Sequence, residues 1–543
     1  MLVSALQAKG DRLPQSLNEG HRPSVDVFVT HCGEGHGIVL DTTKAACALD
    51  WPSNALRVIV LDDSGSGELA EKVERLSKEV SPRLIYVSRG VQVKTYSKAA
   101  NLNFGLRYVE SLSDGKGEFV GVLDVDMIPE PDWLCKVLPY VSNDDKAGLA
   151  CPPQRYYNLP AGDPLGILTD DLPGECMIRL QDYTDSTFCT GSGFVARRCA
   201  LDAIGGIPEE TLQEDDLTSY KLLAAGWHSV YVPLSVQWGL GPDTFAAYLK
   251  QSKRWAVGII HVNSLMWTDW AQKLSRTERF IFILWGLVIG STAFIWTFVF
   301  VALPLLAMSG DKLISIVDEE GSIWLMRLAF ANFIAQSLYH GCLSAILDFR
   351  LPIHTLFGAV WTQPWKLAMI IQYFVIPWVF NHDVPHFEPT GLAVHGKTER
   401  VARAKQSRMT MIKVVFWDCA AYLHLIIFAI CTIGATRWGL QVVRQSLVDG
   451  FRRAAVNVLS GIAWPPIFLL WLALAESAWI PLAYVVNILP PSPREHFLMR
   501  DASNGVVYPA PQAKADFMRP PRQRAFLSKC LFYVTVAAFL ERL

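Results

Sequence analysis

The sequence predicts an α/β domain with a mostly parallel, Rossmann-like sheet, followed by an α-helical transmembrane region. Three observations carry that expectation. Strand-like and helix-like stretches alternate between residues 25 and 270, and beyond Phe280 long apolar runs replace them. Across the 543 residues, hydrophobic types make up 51% and charged types 18%, against about 25% charged in soluble domains. The 49 Lys+Arg and 51 Asp+Glu give a net charge of −2. That balance excludes a charge-rich disordered chain and leaves no basic excess for phosphate backbones, so no nucleic-acid partner is expected.

The elements follow in order. Residues 1–24 are polar, with no apolar stretch of the signal-peptide kind. Residues 25–30 form a β-rich run, and residues 37–50 have helical character up to Pro52. Residues 56–61 are nearly continuous in apolar types, as suits a strand buried on both faces. A charged helical stretch (68–80) leads to a third strand (84–87), and a further helix (97–112) to a fourth (119–123). This alternation argues parallel strands with covering helices. In such sheets ligands bind beyond the carboxyl ends of the strands.

The second half reads differently. Residues 280–308 are uncharged and apolar over a length that crosses a bilayer, for which about 20 helical residues suffice. Residues 328–347, 414–435 and 458–486 are further candidates, and 353–380, with Pro364, Lys366 and Pro377, spans or lies in the interface. Four to five spans are expected. Asp418 and Glu476 fall inside these runs, where an ionisable group suggests a functional site or a pairing within the bundle. Lys397, Arg400, Arg403, Lys405 and Arg408 fill a polar loop that the positive-inside rule assigns to the cytosol. The divisions are thus a polar segment (1–24), a catalytic domain (25–270), transmembrane or interfacial helices (280–380), a cytosolic loop (381–411), further transmembrane helices (412–488) and a C-terminal tail (489–543).

Eleven cysteines occur without a C-x-x-C pair, which supports neither a disulfide framework nor a zinc site and fits reduced, intracellular thiols.

The chemistry lies in carboxylates at strand ends. Asp62-Asp63-Ser64-Gly65 follows the second strand, Asp124-Val125-Asp126 the fourth, and Glu214-Asp215-Asp216 sits further on, ahead of Gln251-Ser252-Lys253-Arg254-Trp255. Singly these are ordinary: Asp-Asp-x-Gly is a turn sequence, and Arg-Trp before a span is an interfacial anchor. Their order, at strand ends and ahead of membrane runs, fits sugar transfer from a nucleotide donor. Asp124 and Asp126 offer hard oxygen ligands for Mg²⁺ or Mn²⁺, which bridge diphosphate oxygens and stabilise a departing nucleoside diphosphate. Asp215 is placed to take the acceptor hydroxyl proton as general base. Arg254 presents a planar donor fork for a diphosphate, and Trp255 a flat face for a sugar.

On these residues the chain resembles the family 2 processive glycosyltransferases of the cellulose, chitin and hyaluronan synthase group, most of all a fungal cellulose synthase-like branch. The matching pieces are Asp62-Asp63, Lys98-Ala99-Ala100-Asn101-Leu102-Asn103, Asp124-Val125-Asp126, Phe188-Cys189-Thr190-Gly191-Ser192, Glu214-Asp215, Gln251 to Trp255, and Phe387-Glu388-Pro389-Thr390-Gly391. The resemblance implies a cytosolic GT-A catalytic domain, a UDP-sugar donor, a divalent metal and inverting displacement in a multi-pass protein of the plasma or secretory-pathway membrane, surrounded by lipid. It implies that Thr30, Glu34, Asp63, Lys98, Asp124, Gln251 and Arg254 meet the nucleotide-sugar, and that Asp124 and Asp126 hold metal. It places Glu214 and Asp215 in catalysis, and Trp255, Cys189 and Gly191 at the acceptor. Phe387 and Thr390 would lie in a gating loop.

Two departures stand out. Gln213 replaces the family's Thr before Glu-Asp, and Thr30-His31-Cys32-Gly33-Glu34 replaces Thr-Tyr-Asn-Glu. Family members usually carry one or two transmembrane helices ahead of the catalytic domain, whereas this sequence reaches its first strand after a short polar segment. The expected product is a β-linked, cell-wall type polysaccharide, with glucose the first choice of sugar. Transfer of one or a few sugars, glucose or mannose, to a lipid or apolar small molecule stays open.

Overall fold

A computed structural model describes residues 15–17, 22–90, 97–159, 172–309, 359–380, 408–446, 465–486 and 493–518, with isolated positions elsewhere. Four parallel strands organise the first half: β1 (Val25–His31), β2 (Leu56–Asp62), β3 (Arg83–Ser88) and β4 (Phe119–Asp124). They pair in the order β3-β2-β1-β4, so the order reverses between β1 and β4. Reversal opens a crevice at the carboxyl edge, because the crossover helices on the two sides leave on opposite faces. The register is telling. Thr30 pairs with Leu61 and Asp124, and His31 with Asp62, so the polar strand ends form one row.

Helices α1 (His36–Cys47), α2 (Gly67–Ser77) and α3 (Lys98–Glu110) make the crossovers. Ser66 and Ser97 cap α2 and α3 by accepting from the amides of Leu69 and Ala100, which satisfies donors a helix start leaves unpaired. Both sheet faces are dry. Val27, Val29, Val58 and Val60 pack with Val39 and Leu69 on one side. Phe28, Ile59, Leu61 and Val122 pack with Leu102 and Leu106 on the other.

After β4 come β5 (Met127–Pro129), β6 (Ala147–Cys151), β7 (Arg155–Tyr156), β8 (Phe194–Arg197), β9 (His228–Tyr231) and β10 (Gln237–Gly239). β8 enters antiparallel between β4 and β6, and β9 closes the seven-stranded sheet beside β6. β5, β10 and β7 form a separate three-stranded sheet. Helix α4 (Glu214–Ala224) precedes β9.

The helical half begins with α5 (Phe245–Ser264) and α6 (Arg276–Ser309). It continues with α7 (Gln363–Ile370), which runs on as helix to Phe380, then α8 (Tyr422–Ser446) and α9 (Pro465–Val486). Among the described residues, two helices are long and apolar enough to cross a membrane, Arg276–Leu306 and Tyr422–Gln441. Phe280, Phe294, Phe298 and Leu305 on α6 are exposed. α7 packs against both α5 and α6. At its foot, buried Trp361 stacks on Phe245 of α5 at 4.7 Å between ring centroids.

Two expectations are corrected here. The run expected to be one span from 414 is broken: a helical turn (Lys413–Asp418) ends before α8, with Ala420 at φ +54°. Asp418 therefore sits exposed at that break and not inside a span. The segment read as a C-terminal tail folds back over residues 493–518. It forms a β11 (Leu498–Arg500) and β12 (Val507–Pro509) hairpin and α10 (Pro511–Met518), packed on the α/β domain through Val506 and Phe517. Sequence patterning missed this because the segment buries only a few apolar residues. Most of the candidate span 328–347, residues 381–407 of the basic loop with Phe387 and Thr390, and residues 519–543 lie outside the described residues, as does the Glu476 side chain.

Candidate active site

Lys98 is the meeting point. It is the first residue of α3, and Asn101 and Asn103 fix that helix. Asn101 donates to the Leu61 carbonyl at the end of β2 (2.9 Å), while Asn103 exchanges hydrogen bonds with the Ile207 carbonyl and amide ahead of α4 (both 2.8 Å). The Lys98 ammonium then reaches Asp124 Oδ1 (2.5 Å), the Gly191 carbonyl (2.6 Å) and, more distantly, Glu214 Oε1 (3.9 Å). Three stretches separated along the sequence thus converge on one cation. Burial works against the charged amine, but Asp124, Glu214 and Asp215 outweigh it and hold its pKa above the ordinary lysine value.

Asp215 leans on Gly191. That glycine has φ +88°, and a Cβ there would stand 2.6 Å from Asp215 Oδ2, so both the backbone and the carboxylate require glycine. Burial raises the Asp215 pKa, with Lys98 opposing. Glu214 is pushed up to about 7, first by burial and then by Asp215, again with Lys98 opposing. A half-buried pair of carboxylates beside one lysine is poised to take up a proton near neutral pH, where the Glu214 pKa lies.

Asp124 ends β4 and Asp126 follows in the turn before β5. Ser192 Oγ accepts the Asp124 amide at 3.0 Å, and Thr30 Oγ1 lies 3.4 Å from Asp124 Oδ1. The Asp126 pKa is raised to about 8 by burial first, then by the charges of Asp124 and Glu34. Crowded hard oxygens of this kind fit a divalent cation, which would relieve their repulsion. No group of three or more His, Cys, Asp or Glu side chains among the described residues encloses a metal by itself. The pair therefore suits Mg²⁺ or Mn²⁺ that draws its remaining oxygens from water and diphosphate.

The β2 edge is arranged differently. Arg89, just past β3, grips Asp63 with two 2.6 Å contacts. Asp62 is buried and accepts from His31, Ser64, Ser66 and Tyr86. Glu34 turns back onto the Cys32 amide at 2.8 Å. Burial and Glu34 push the Cys32 thiol far up, and Asp63 and Asp124 both contribute to that rise, so the two acidic edges share one neighbourhood.

Gln251, Arg254 and Trp255 lie half-buried on α5. Gln251 Oε1 is buried without a partner. One turn on, a Cβ at Gly258 would stand 2.7 Å from Gln213 Cγ, so α5 presses directly on the residue before Glu214. Cys189 is buried, its amide held by Ser219 Oγ of α4 at 2.9 Å and its sulfur 3.8 Å from that of Cys151. It packs beneath the site and presents no face to an acceptor.

Sequence reasoning missed Arg89 and Gln154, and named Asp216 within its acidic motif without giving it a role. Arg89 had a usable signal, a cation one residue past a strand end. Gln154, which donates to the Thr190 carbonyl, had none. Asp216 is 6% exposed and faces a small cavity with Tyr220, Asn263, Met266 and Trp285. Its pKa is raised well above the ordinary value by burial, then by Asp215 and Glu214. Tyr220 stacks on Phe282 of α6 at 4.0 Å, which ties the helix carrying Asp215 to the first membrane-type helix.

The family model "Glycosyl transferase family 2" matches residues 26–205, and "Glycosyl transferase family group 2" matches residues 119–380. Among curated proteins, Cellulose synthase 2 of Novacetimonas hansenii is 30% identical over 295 residues, covering 51% of this chain and 17% of that protein. The UDP-forming catalytic subunit of cellulose synthase 1 of Komagataeibacter xylinus is 28% identical over 260 residues, covering 46% of this chain and 32% of that subunit. The chain thus matches about a sixth to a third of these relatives' length. A solved mannosyltransferase of Pyrobaculum calidifontis, in complex with GDP-Man and Mn²⁺, aligns with a TM-score of 0.43 at 18% identity over 68% of this chain and 94% of its own. Nothing in these comparisons singles out a fungal branch.

Proposed function

With family 2 glycosyltransferase models matching residues 26–205 and 119–380 and cellulose synthases as homologues, we propose that the protein transfers a sugar, glucose first, from a UDP-sugar to a growing β-linked polysaccharide at a membrane. One observation carries the reading. Asp124, Gly191 and Glu214, brought from separate motifs, meet around Lys98 at the switch point of the sheet.

Asp124 and Asp126 would hold the divalent metal, whose positive charge supports departure of the nucleoside diphosphate. Thr30, Glu34 and Asp63 line the nucleotide side, Asp63 with its orientation fixed by Arg89. Lys98 neutralises the carboxylates between donor and base, and its ammonium is available to the diphosphate once a cation takes over Asp124. Asp215 removes the acceptor proton. Burial raises its pKa above the ordinary aspartate value, with Lys98 opposing, and a stronger base takes a hydroxyl proton more readily. Gln251, Arg254 and Trp255 flank diphosphate and acceptor from α5, while Gly191 leaves room for Asp215. For Phe387 and Thr390, outside the described residues, the gating role that the resemblance implies is retained.

For the membrane arrangement, the packing of residues 493–518 on the domain that precedes α6 supports a reading in which both lie on one side and the chain between them crosses the bilayer an even number of times. Four crossings satisfy this, with residues 353–380 in the interface.

The test is a donor screen on purified protein in detergent, followed by product sizing. Metal-dependent consumption of UDP-glucose with long, hydrolase-sensitive chains is the expected result. Organic-soluble glycosides would move the acceptor to a lipid or apolar small molecule. Failure to consume any UDP- or GDP-sugar with Mg²⁺ or Mn²⁺ would reject the proposal.

A further inference from the structure

The folded-back C-terminal segment lies against the strand that leaves the Asp-x-Asp motif. Asp126 runs directly into β5 (Met127–Pro129), which pairs with β10, Gly239 opposite Met127. That pairing is tight. A Cβ on Gly239 would stand 3.1 Å from the Asp126 carbonyl oxygen and closer still to the Met127 sulfur. Past the other end of β5, Glu130 is ion-paired to Lys514 of α10, whose ammonium also lies 5.8 Å above the Trp238 ring. Phe517 of the same helix meets Trp238 and Tyr156 edge-on, at 6.2 and 6.0 Å.

Arg494 supplies the second attachment. It is 7% exposed. One guanidinium nitrogen meets Asp41 of α1 at 2.5 Å, and Nε donates to the Tyr157 hydroxyl at 2.9 Å. Tyr157 follows β7 and its amide donates to the Gly239 carbonyl at 3.0 Å. Tyr157 is also close enough to Asp126 for that charge to contribute to its raised pKa, after burial. The three-stranded sheet that aims Asp126 is therefore held from behind by residues more than 330 positions later in the chain.

We propose that residues 493–518 are a strap for the metal side of the site, with Arg494 as its positioning residue: through Tyr157 and the β5–β10–β7 sheet, it fixes the Asp126 carboxylate where a divalent cation and a nucleoside diphosphate bind. The chemistry favours this over simple packing. Arg494 spends its planar fork on two partners at once, which a flexible point charge does not reproduce. Arg494 reaches Asp126 through Tyr157, Gly239 and Met127, and supports behind a metal ligand govern affinity by limiting its freedom to swing away. Six residues separate the strap from the end of α9, so it also links the last described apolar helix to the donor site. The inference rests on the function proposed above, deepening it for one motif.

The experiment uses the full chain in detergent, with UDP and Mn²⁺ as probes. Arg494→Lys keeps the charge beside Asp41 but loses the fork to Tyr157. Its melting temperature should stay near the unsubstituted protein's, while the Mn²⁺ concentration for half-maximal UDP binding rises about tenfold or more. Tyr157→Phe should raise it less, in the same direction. By reciprocity of linked equilibria, UDP with Mn²⁺ should slow amide hydrogen exchange across residues 498–518, and Asp126→Asn should abolish that slowing. An unchanged Mn²⁺ requirement in both variants, or no change in exchange while UDP binds, overturns the strap. Absence of Mn²⁺-dependent UDP binding to the unsubstituted protein overturns the proposed function and the strap together.

Discussion

Two strand ends in this molecule carry the same local signature, an apolar strand followed by a pair of acids, and the structure uses them in opposite ways. At β2, Asp62 is enclosed by the His31 ring, the Ser64 amide and hydroxyl, the Ser66 amide and the Tyr86 hydroxyl. Burial alone would raise its pKa, but these partners outweigh burial and hold the carboxyl below the usual range. At β4, Asp126 is half-buried beside like charges, and desolvation first, then Asp124 and Glu34, raise its pKa to about 8. A carboxylate met by donors is a structural tie. One facing other carboxylates is incomplete until a cation arrives. The lesson is that the acid itself does not mark the site. What marks it is whether the fold has supplied the counter-groups.

The contrast breaks most sharply at the base. Asp215→Asn should cut sugar transfer by about 10²–10⁴-fold while leaving UDP binding close to normal, read by single-turnover transfer beside calorimetry. Transfer that persists would take Asp215 out of that role. Gly191→Ala comes next. The new methyl collides with Asp215 Oδ2 and the left-handed backbone costs about 1–2 kcal/mol. Turnover should fall by up to about 10²-fold, with nucleotide affinity little changed; a matching loss in both would mean that Gly191 supports the fold and not the base.

Proton competition gives a smaller, graded effect. Asp126 must shed its proton to receive a metal, and its pKa is raised. The Mn²⁺ needed for half-maximal UDP binding should therefore fall by about tenfold per unit as pH rises from 6 and level off above about 8. A flat profile would show that Asp126 is already ionised. The gentlest effect on catalysis belongs to the other strand end. Asp62→Asn should lower stability by about 3–5 kcal/mol, as loss of a buried charged partner does, yet leave the pH profile of metal binding where it was. Because the Asp62 pKa is depressed, its contribution is present at neutral pH and is lost only as acid titrates it below the ordinary aspartate range. A shifted metal profile in this variant would dissolve the distinction between the two edges.

Much of this was legible in one dimension. The strands appear where apolar-rich runs of four to six residues stand between helical stretches, because a parallel strand buried on both faces tolerates few polar residues. The carboxylates were found because strand ends in such a sheet point at the ligand crevice. The buried Cys189 side chain was not foreseeable, because whether a side chain faces the crevice or the core depends on a turn whose glycines obey no periodicity. Arg89 escaped because a single arginine after a strand is common, and its meaning comes only from Asp63, 26 residues earlier.

The amino-acid order by itself determined the α/β alternation, the switch from a polar-edged sheet to membrane-type helices, and the set of acidic motifs, since hydrophobic periodicity and residue chemistry are local properties. Tertiary structure alone decided that Lys98 gathers Asp124, Gly191 and Glu214, that Asp62 is satisfied while Asp126 is not, and that residues 493–518 return to brace β5. Those outcomes depend on which charges share a low-dielectric space, and sequence distance carries no information about that.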